Sequence, residues 1–402
     1  MLADLDSLMR ARGIDAVIVP MHESAHAAFR WISRGAKVTR GYAVKMLDRP
    51  TLLLAYPMER DEAAATGVKT RLIHDFGYEA IFKSAPNAVE AYAIFFDTVL
   101  RELGSGKVIS FVGALPFHLY YGIALAMEQR GWTIHRSQGD DLAQLARKRK
   151  EPWEIEIIAS VGARTEAVVD RVRRMLRQCI LERNHFLLNG EVLTLGHLKQ
   201  VLSSEISRLA MIEDHETILS QGRDAAIPHS RGDAAAKVRP SVPIVIDIFP
   251  SDRDSGYFFD LTRTFCIGPI PPELQQIHSD VLTAFQLAAD EMRAGTRASS
   301  YQALVCDFFE ARGYATNRSN PKTLDGYVHS LGHGVGLEVH EKPSFSLVPA
   351  NHDMIEVGDI VTIEPGLYFP EREIGVRIED TLVVREDGRV KSLCRSDRSL
   401  VP

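Results

Sequence analysis

The stretch from His329 to Pro343 reads HSLGHGVGLEVHEKP and places His329, His333 and His340 within twelve residues. Gly326, Gly332, Gly334 and Gly336 are interleaved with them. Imidazoles bind metals or move protons near neutral pH. Glycines remove Cβ atoms where backbone and substrate must come close. The same glycines argue against a helix, so the four-residue spacing of His329 and His333 only mimics the helical two-histidine zinc motif. A histidine-rich loop on an ordinary surface would read the same way, and partners elsewhere in the chain have to decide.

Carboxylates supply such partners. In PIVIDIFPSDRDSGYFFDLTRTF (243–265), Asp247 lies between Ile246 and Ile248, and Asp260 between Phe259 and Leu261. A hairpin centred on Arg253 and Asp254 is expected to set Asp247 directly opposite Asp260, with Cβ atoms roughly 5 Å apart. Two carboxylates that close on an apolar surface repel and lose solvation, and a bound divalent cation removes the conflict. Asp252 and Asp254 read as turn residues. Thr262 shares the face of Asp260 and is placed to support a ligand by hydrogen bonding, while Arg263 points to the other face and reads as structural. Glu364, after three β-branched residues, and Glu379, between Ile378 and Asp380, again interrupt apolar strands. Hard oxygen donors with one or two imidazoles suit Mn²⁺, Co²⁺, Fe²⁺ or Zn²⁺ rather than a thiolate site. The charge of four carboxylates is balanced by two divalent ions.

These residues need elements to hold them. Up to about residue 140, strand-like runs at 16–20, 51–57 and 107–113 alternate with helical patterns at 87–103 and 116–130, which argues for an α/β layer. The basic run Arg147 to Lys150 reads as a solvated connector rather than a nucleic-acid patch. Pro152 then opens an amphipathic helix of about seven turns. The boundary is expected here, giving domains 1–146 and 147–402. Further on, helical patterns cover 271–293 and 299–312, and strands run in a meander from Asp359 onward.

A chain of 402 residues exceeds the usual ceiling for one core, in keeping with two domains. A net charge of −6 gives no reason to expect nucleic acid or an anionic membrane as partner. Four scattered cysteines argue against a disulfide scaffold and fit a reducing cytoplasm. At the N-terminus Arg10 and Arg12 precede only a short apolar run and follow acids, so no signal peptide is expected. No run approaches the roughly 18 apolar residues of a membrane span.

Together the motifs resemble the creatinase/prolidase/methionine-aminopeptidase family, the pita-bread metallopeptidases. The similarity is greatest to the two-domain branch of Xaa-Pro dipeptidases (prolidases) and Xaa-Pro aminopeptidases, strong from Glu154 to Val384 and weaker over the N-terminal domain. The resemblance implies an α+β fold, a curved antiparallel sheet covered by helices and preceded by a creatinase-type α/β domain. It implies five metal ligands, Asp247, Asp260, His333, Glu364 and Glu379, with Asp260 and Glu379 bridging two ions. Manganese comes first among those ions, ahead of cobalt, zinc or iron. Glu364 is the implied proton acceptor and donor, His340 and His229 act on the reacting amide, and His329 and Arg377 serve the substrate pocket. The implied reaction is hydrolysis of a peptide with proline at its second position by a hydroxide bridging the ions, in a homodimer. Two departures stand out: Asp247 and Asp260 are thirteen apart, longer than in many members, and Ser230 follows His229. The alternatives are a creatinase-like amidinohydrolase that needs no metal, and a non-catalytic peptide-binding module. Both would be expected to have lost ligands, and the implied set is intact.

Overall fold

The computed structural model describes residues 2–22, 26–137 and 139–402. The chain forms two compact units, Met1–Arg147 and Lys148–Pro402. The first is built on a six-stranded sheet in the order Lys69–Leu72, Leu52–Ala55, Arg40–Met46, Ala16–His22, Val108–Phe111, Thr133–Ile134. Its middle strands pair antiparallel and its flanking ones parallel. The helix Ala88–Glu102 starts where the Asn87 side chain accepts from the Glu90 amide. Its apolar spacing buries Ala93, Phe95, Phe96, Val99 and Leu100 against Ile18, Val44 and Leu54 of the sheet.

The second unit opens with the helix Pro152–Gln178. Pro152 occupies its first turn, where a missing N–H goes unnoticed, and the Glu154 side chain reaches back to accept from the Glu151 amide at 2.7 Å. Gly162 leaves a notch for the Phe259 ring: a Cβ there would stand 2.4 Å from the ring edge. The residue beside Asp260 is thereby wedged into the helix.

The basic run before this helix is not solvated as expected. Arg147, Lys148 and Lys150 are buried; Lys148 pairs with Glu356 at 2.8 Å and Lys150 with Glu341 at 2.8 Å. Residue types alone do not reveal this, because the partners lie some 200 positions further along the chain.

Of the five sheets that the described residues of this unit form, three position the acids and histidines. One has three strands, Ile218–Gln221, Pro243–Ile248 and Leu261–Cys266. The second has five, in the order Glu341–Ser344, His333–Gly334, Ile360–Ile363, Asp380–Val384, Val390–Ser392. The third is the hairpin Gly366–Phe369 with Ile374–Arg377. The sequence pattern leads one to expect unbroken strands from Asp359 and from Glu373; each is broken in the middle. Pro365 has no N–H to extend a ladder, and the Glu379 amide turns away to bond the Thr262 carbonyl at 3.1 Å. Register is kept across both breaks, Ile363 opposite Asp380 and Gly366 opposite Arg377. One long bent hairpin therefore sets Glu364 opposite Glu379 at the bend.

Period-two alternation then sorts its side chains. Val361, Ile363, Val376, Ile378 and Leu382 enter a core with Val281 and Phe285 of the helix Pro272–Glu291 and Val305 and Phe309 of the helix Ala298–Glu310. Thr362, Glu364, Arg377 and Glu379 take the opposite face. No helix among the described residues is long and apolar enough to cross a membrane.

Candidate metal centre

The strand Pro243–Ile248 brings Asp247 to this face, but not in the expected register. Asp247 pairs with Thr262, not Asp260. The turn is centred one residue later than anticipated, between Asp254 and Ser255. Asp252 makes it so: its side chain accepts from the Ser255 amide and hydroxyl, both at 2.8 Å, and its carbonyl from the Gly256 amide. Moving a hairpin centre by one residue slides the pairing by two, so both acids stay on the same face as diagonal neighbours. The directly opposed pair of acids is Glu364 and Glu379.

Thr262 supports the centre as expected of its face, with Glu379 as partner: its hydroxyl donates to Glu379 Oε2 at 2.7 Å. Arg263 lies on the other face, its guanidinium fully buried against Asp380 at 3.0 Å and the Glu379 carbonyl at 2.8 Å. It fixes the backbone behind the site.

Asp260, His333 and Glu379 each offer a ligand atom within 4.8 Å of the others. His333 Nε2 lies 3.6 Å from Asp260 Oδ2 and 3.4 Å from Glu364 Oε1. Its Nδ1 donates to the Gly334 carbonyl at 3.0 Å, which leaves Nε2 toward the carboxylates. Gly332 and Gly334 make this approach feasible, for a Cβ would stand 2.2 Å from the Thr362 carbonyl and 1.9 Å from that of Lys342. These glycines thus admit neighbouring strands, where the sequence suggested room for a substrate.

Do the residues fit a cation? Asp247 Oδ1, Asp260 Oδ1 and Glu379 Oε1 are buried oxygens with no hydrogen-bond partner. Stranded carboxylate oxygens are costly and call for a positive partner. Burial, then the neighbouring acids, push Asp260 and Glu379 well above the usual carboxylate range, and burial lifts Glu364 to about 8. Burial lowers His333 to about 3, the neutral form that can ligate. The set fits divalent ions.

Arg377 is buried and holds the floor. Its guanidinium pairs with Asp247 Oδ2 and donates to Tyr368 Oη at 2.7 Å, Thr262 Oγ1 at 3.2 Å and the Pro228 carbonyl at 3.4 Å. Burial opposes its charge, but Tyr368, Asp247 and Glu364 keep it firmly protonated. His329 Nε2 meets Tyr368 Oη at 2.9 Å and its Nδ1 the Ser330 carbonyl at 2.8 Å; burial lowers this ring to about 3. His340 is exposed, with its ring centroid 4.4 Å from that of His333, and burial of its inner side keeps it below the usual histidine range. Exposed His229 follows Pro228 and lies close enough for its charge to bear on His329 and His340. Tyr368, which joins His329 to Arg377, escaped the sequence reading. Its signal was a lone hydroxyl in the apolar strand GLYF.

The model of metallopeptidase family M24 matches residues 156–386. The Xaa-Pro dipeptidase of Pyrococcus furiosus is 31% identical over 312 residues, 76% of this chain and 79% of that protein. The Xaa-Pro dipeptidase of Pyrococcus horikoshii is 25% identical over 402 residues, 98% of this chain and 96% of its own. Among solved structures, the Xaa-Pro dipeptidase from Bacillus anthracis has a TM-score of 0.77 at 22% identity, covering 100% of this chain and 98% of that one. The X-Pro aminopeptidase from Thermotoga maritima has a TM-score of 0.74 at 23% identity, covering 98% of each chain. The chain therefore belongs to metallopeptidase family M24, with the pita-bread catalytic domain and the preceding α/β domain that its motifs implied.

Proposed function

We propose that this metallopeptidase is a prolidase- or aminopeptidase-P-type exopeptidase that hydrolyses Xaa-Pro bonds with two divalent ions, manganese first among them. The observation that carries the reading is the three partnerless buried oxygens on Asp247, Asp260 and Glu379, with ligand atoms of Asp260, His333 and Glu379 within 4.8 Å of one another and Asp247 near enough for its charge to bear on both acids. The choice of an Xaa-Pro bond is supported by the relatives named Xaa-Pro dipeptidase.

Asp247, Asp260, His333, Glu364 and Glu379 would hold the ions. When bound, the ions supply Lewis acidity and a water acidic enough to lose its proton near neutral pH. Glu364 takes that proton and later returns it to the leaving nitrogen, since its carboxylate lies 3.4 Å from His333 Nε2 and faces the same space. His340 and His229 donate to the charge that develops on the scissile carbonyl and the imide nitrogen. His329 and Arg377 act on the substrate side of the cleft through Tyr368, which both of them bond. We place the working form in the cytoplasm as a homodimer.

The test compares metal-free protein with protein loaded with Mn²⁺ or Co²⁺, on Ala-Pro and on a longer Xaa-Pro-Yaa peptide side by side. Cleavage of the Xaa-Pro bond that chelation abolishes is expected, and the preferred peptide length separates dipeptidase from aminopeptidase. Absence of cleavage in both loaded forms, or activity untouched by chelation, overturns the reading.

A further inference from the structure

The loop Val335–His340 is closed where Gly334 pairs with Glu341, the residue after His340. Glu341 does not face solvent. Its Oε2 receives Lys150 Nζ at 2.8 Å, its Oε1 the Glu338 amide at 3.1 Å, and both charged side chains are 1% exposed. Gly336 has no side chain where a Cβ would stand 2.5 Å from Glu341 Oε2, and its carbonyl receives the Phe258 amide at 2.8 Å. On the other side of the pair, Lys150 is fixed by its own backbone: its amide bonds the Gly358 carbonyl at 2.8 Å, and its Nζ also donates to the Lys148 carbonyl at 3.0 Å. A fixed cation thus grips the carboxylate adjacent in sequence to an exposed imidazole.

We infer that Lys150 and Glu341 are positioning residues that set the loop carrying His340 against His333. The inference rests on the reading of His340 as a group that touches substrate. A buried ion pair is weak evidence for stability in itself, because two apolar or neutral groups of similar volume often serve as well. Removing one partner strands the other, whereas removing both charges does not. What the pair supplies beyond a filled space is direction, since a carboxylate held from two sides sets the course of the chain at its neighbour. Displacement of a reacting group by about 1 Å can slow turnover by up to about 10²-fold.

The experiment uses the metal-loaded full chain. Lys150→Met and Glu341→Gln are each expected to lower the melting temperature, and the double variant to recover it, since Gln keeps an acceptor for the Glu338 amide. In the double variant kcat should stay about 10-fold or more below the parent, with KM and metal content little changed. Adding His340→Ala to it should cause no further loss beyond that of His340→Ala alone, the behaviour of groups acting through one another. Should the double variant fail to fold, Glu341→Asp shortens the same grip while keeping both charges, and a fall in kcat with full metal content is expected. A folded double variant or Glu341→Asp with parental kcat overturns the positioning role. Parental kcat in His340→Ala instead overturns the reading of His340, and a further loss in the triple variant shows that the pair acts on some other group.

Discussion

Two histidines seven residues apart have different environments and are expected to fail differently. His333 presents Nε2 to Asp260 and Glu364, with its other nitrogen tied to a backbone carbonyl. His340 stacks edge-on against it and stays exposed. Alanine at 333 removes a ligand, so metal content and rate should fall together. Alanine at 340 leaves the carboxylates and His333 whole, so metal should stay while turnover falls by roughly 10²-fold, the scale for losing one group that meets developing charge. Stability should hardly change at 340, because no buried partner is left stranded. Elemental analysis beside steady-state kinetics checks both; the reverse pattern would mean that the two roles are exchanged.

The elements explain how much of this site the sequence let one read. Acids interrupting apolar runs were legible at Asp247, Asp260, Glu364 and Glu379, because burial of a carboxylate needs a reason wherever it occurs. Their pairing was not. The hairpin register hung on the Asp252 turn, a side-chain choice worth a single residue, and the breaks at Pro365 and Glu379 turned two strands into four. The buried lysines were illegible for another reason: nothing local marks Lys150 as the partner of Glu341. Gly162 shows the same long reach and lends itself to test. A methyl there must displace the Phe259 ring, which lies 2.4 Å from the Cβ position. Gly162→Ala should raise helix propensity yet destabilise the fold by about 1–3 kcal/mol through overpacking. Because Asp260 is the next residue, metal affinity should drop too. Chemical denaturation and metal titration measure the two, and a stabilised variant with parental affinity would rule out the wedge.

At the scale of the whole molecule, the centre stores a conflict that ions settle, and pH tunes the conflict. Without ions, burial and mutual repulsion hold Asp260 and Glu379 well above the carboxylate range, and burial holds Glu364 at about 8 against an ordinary 4.5. A carboxyl raised on folding binds its proton more tightly in the folded state. Its contribution to stability is therefore fully present below the unfolded value and is lost as pH rises through the folded one. For Glu364 that window runs from about 4.5 to about 8, and Asp260 and Glu379 act in the same direction. Metal-free protein should accordingly lose stability across this range on account of the centre. Divalent ions compete with those protons, so loading should release protons and stabilise the fold more at pH 8 than at pH 5. With roughly 2–4 °C per kcal/mol for a unit of this size, the rise in melting temperature on adding Mn²⁺ should be at least about 5 °C greater at the higher pH. Glu379→Gln, which cannot ionise, should shrink that difference. Thermal melts with and without Mn²⁺ at both pH values provide the measurement, and titration calorimetry in two buffers of different ionisation enthalpy counts the protons released. Equal stabilisation at the two pH values, with no proton release, would show that the acids are already ionised in the metal-free fold.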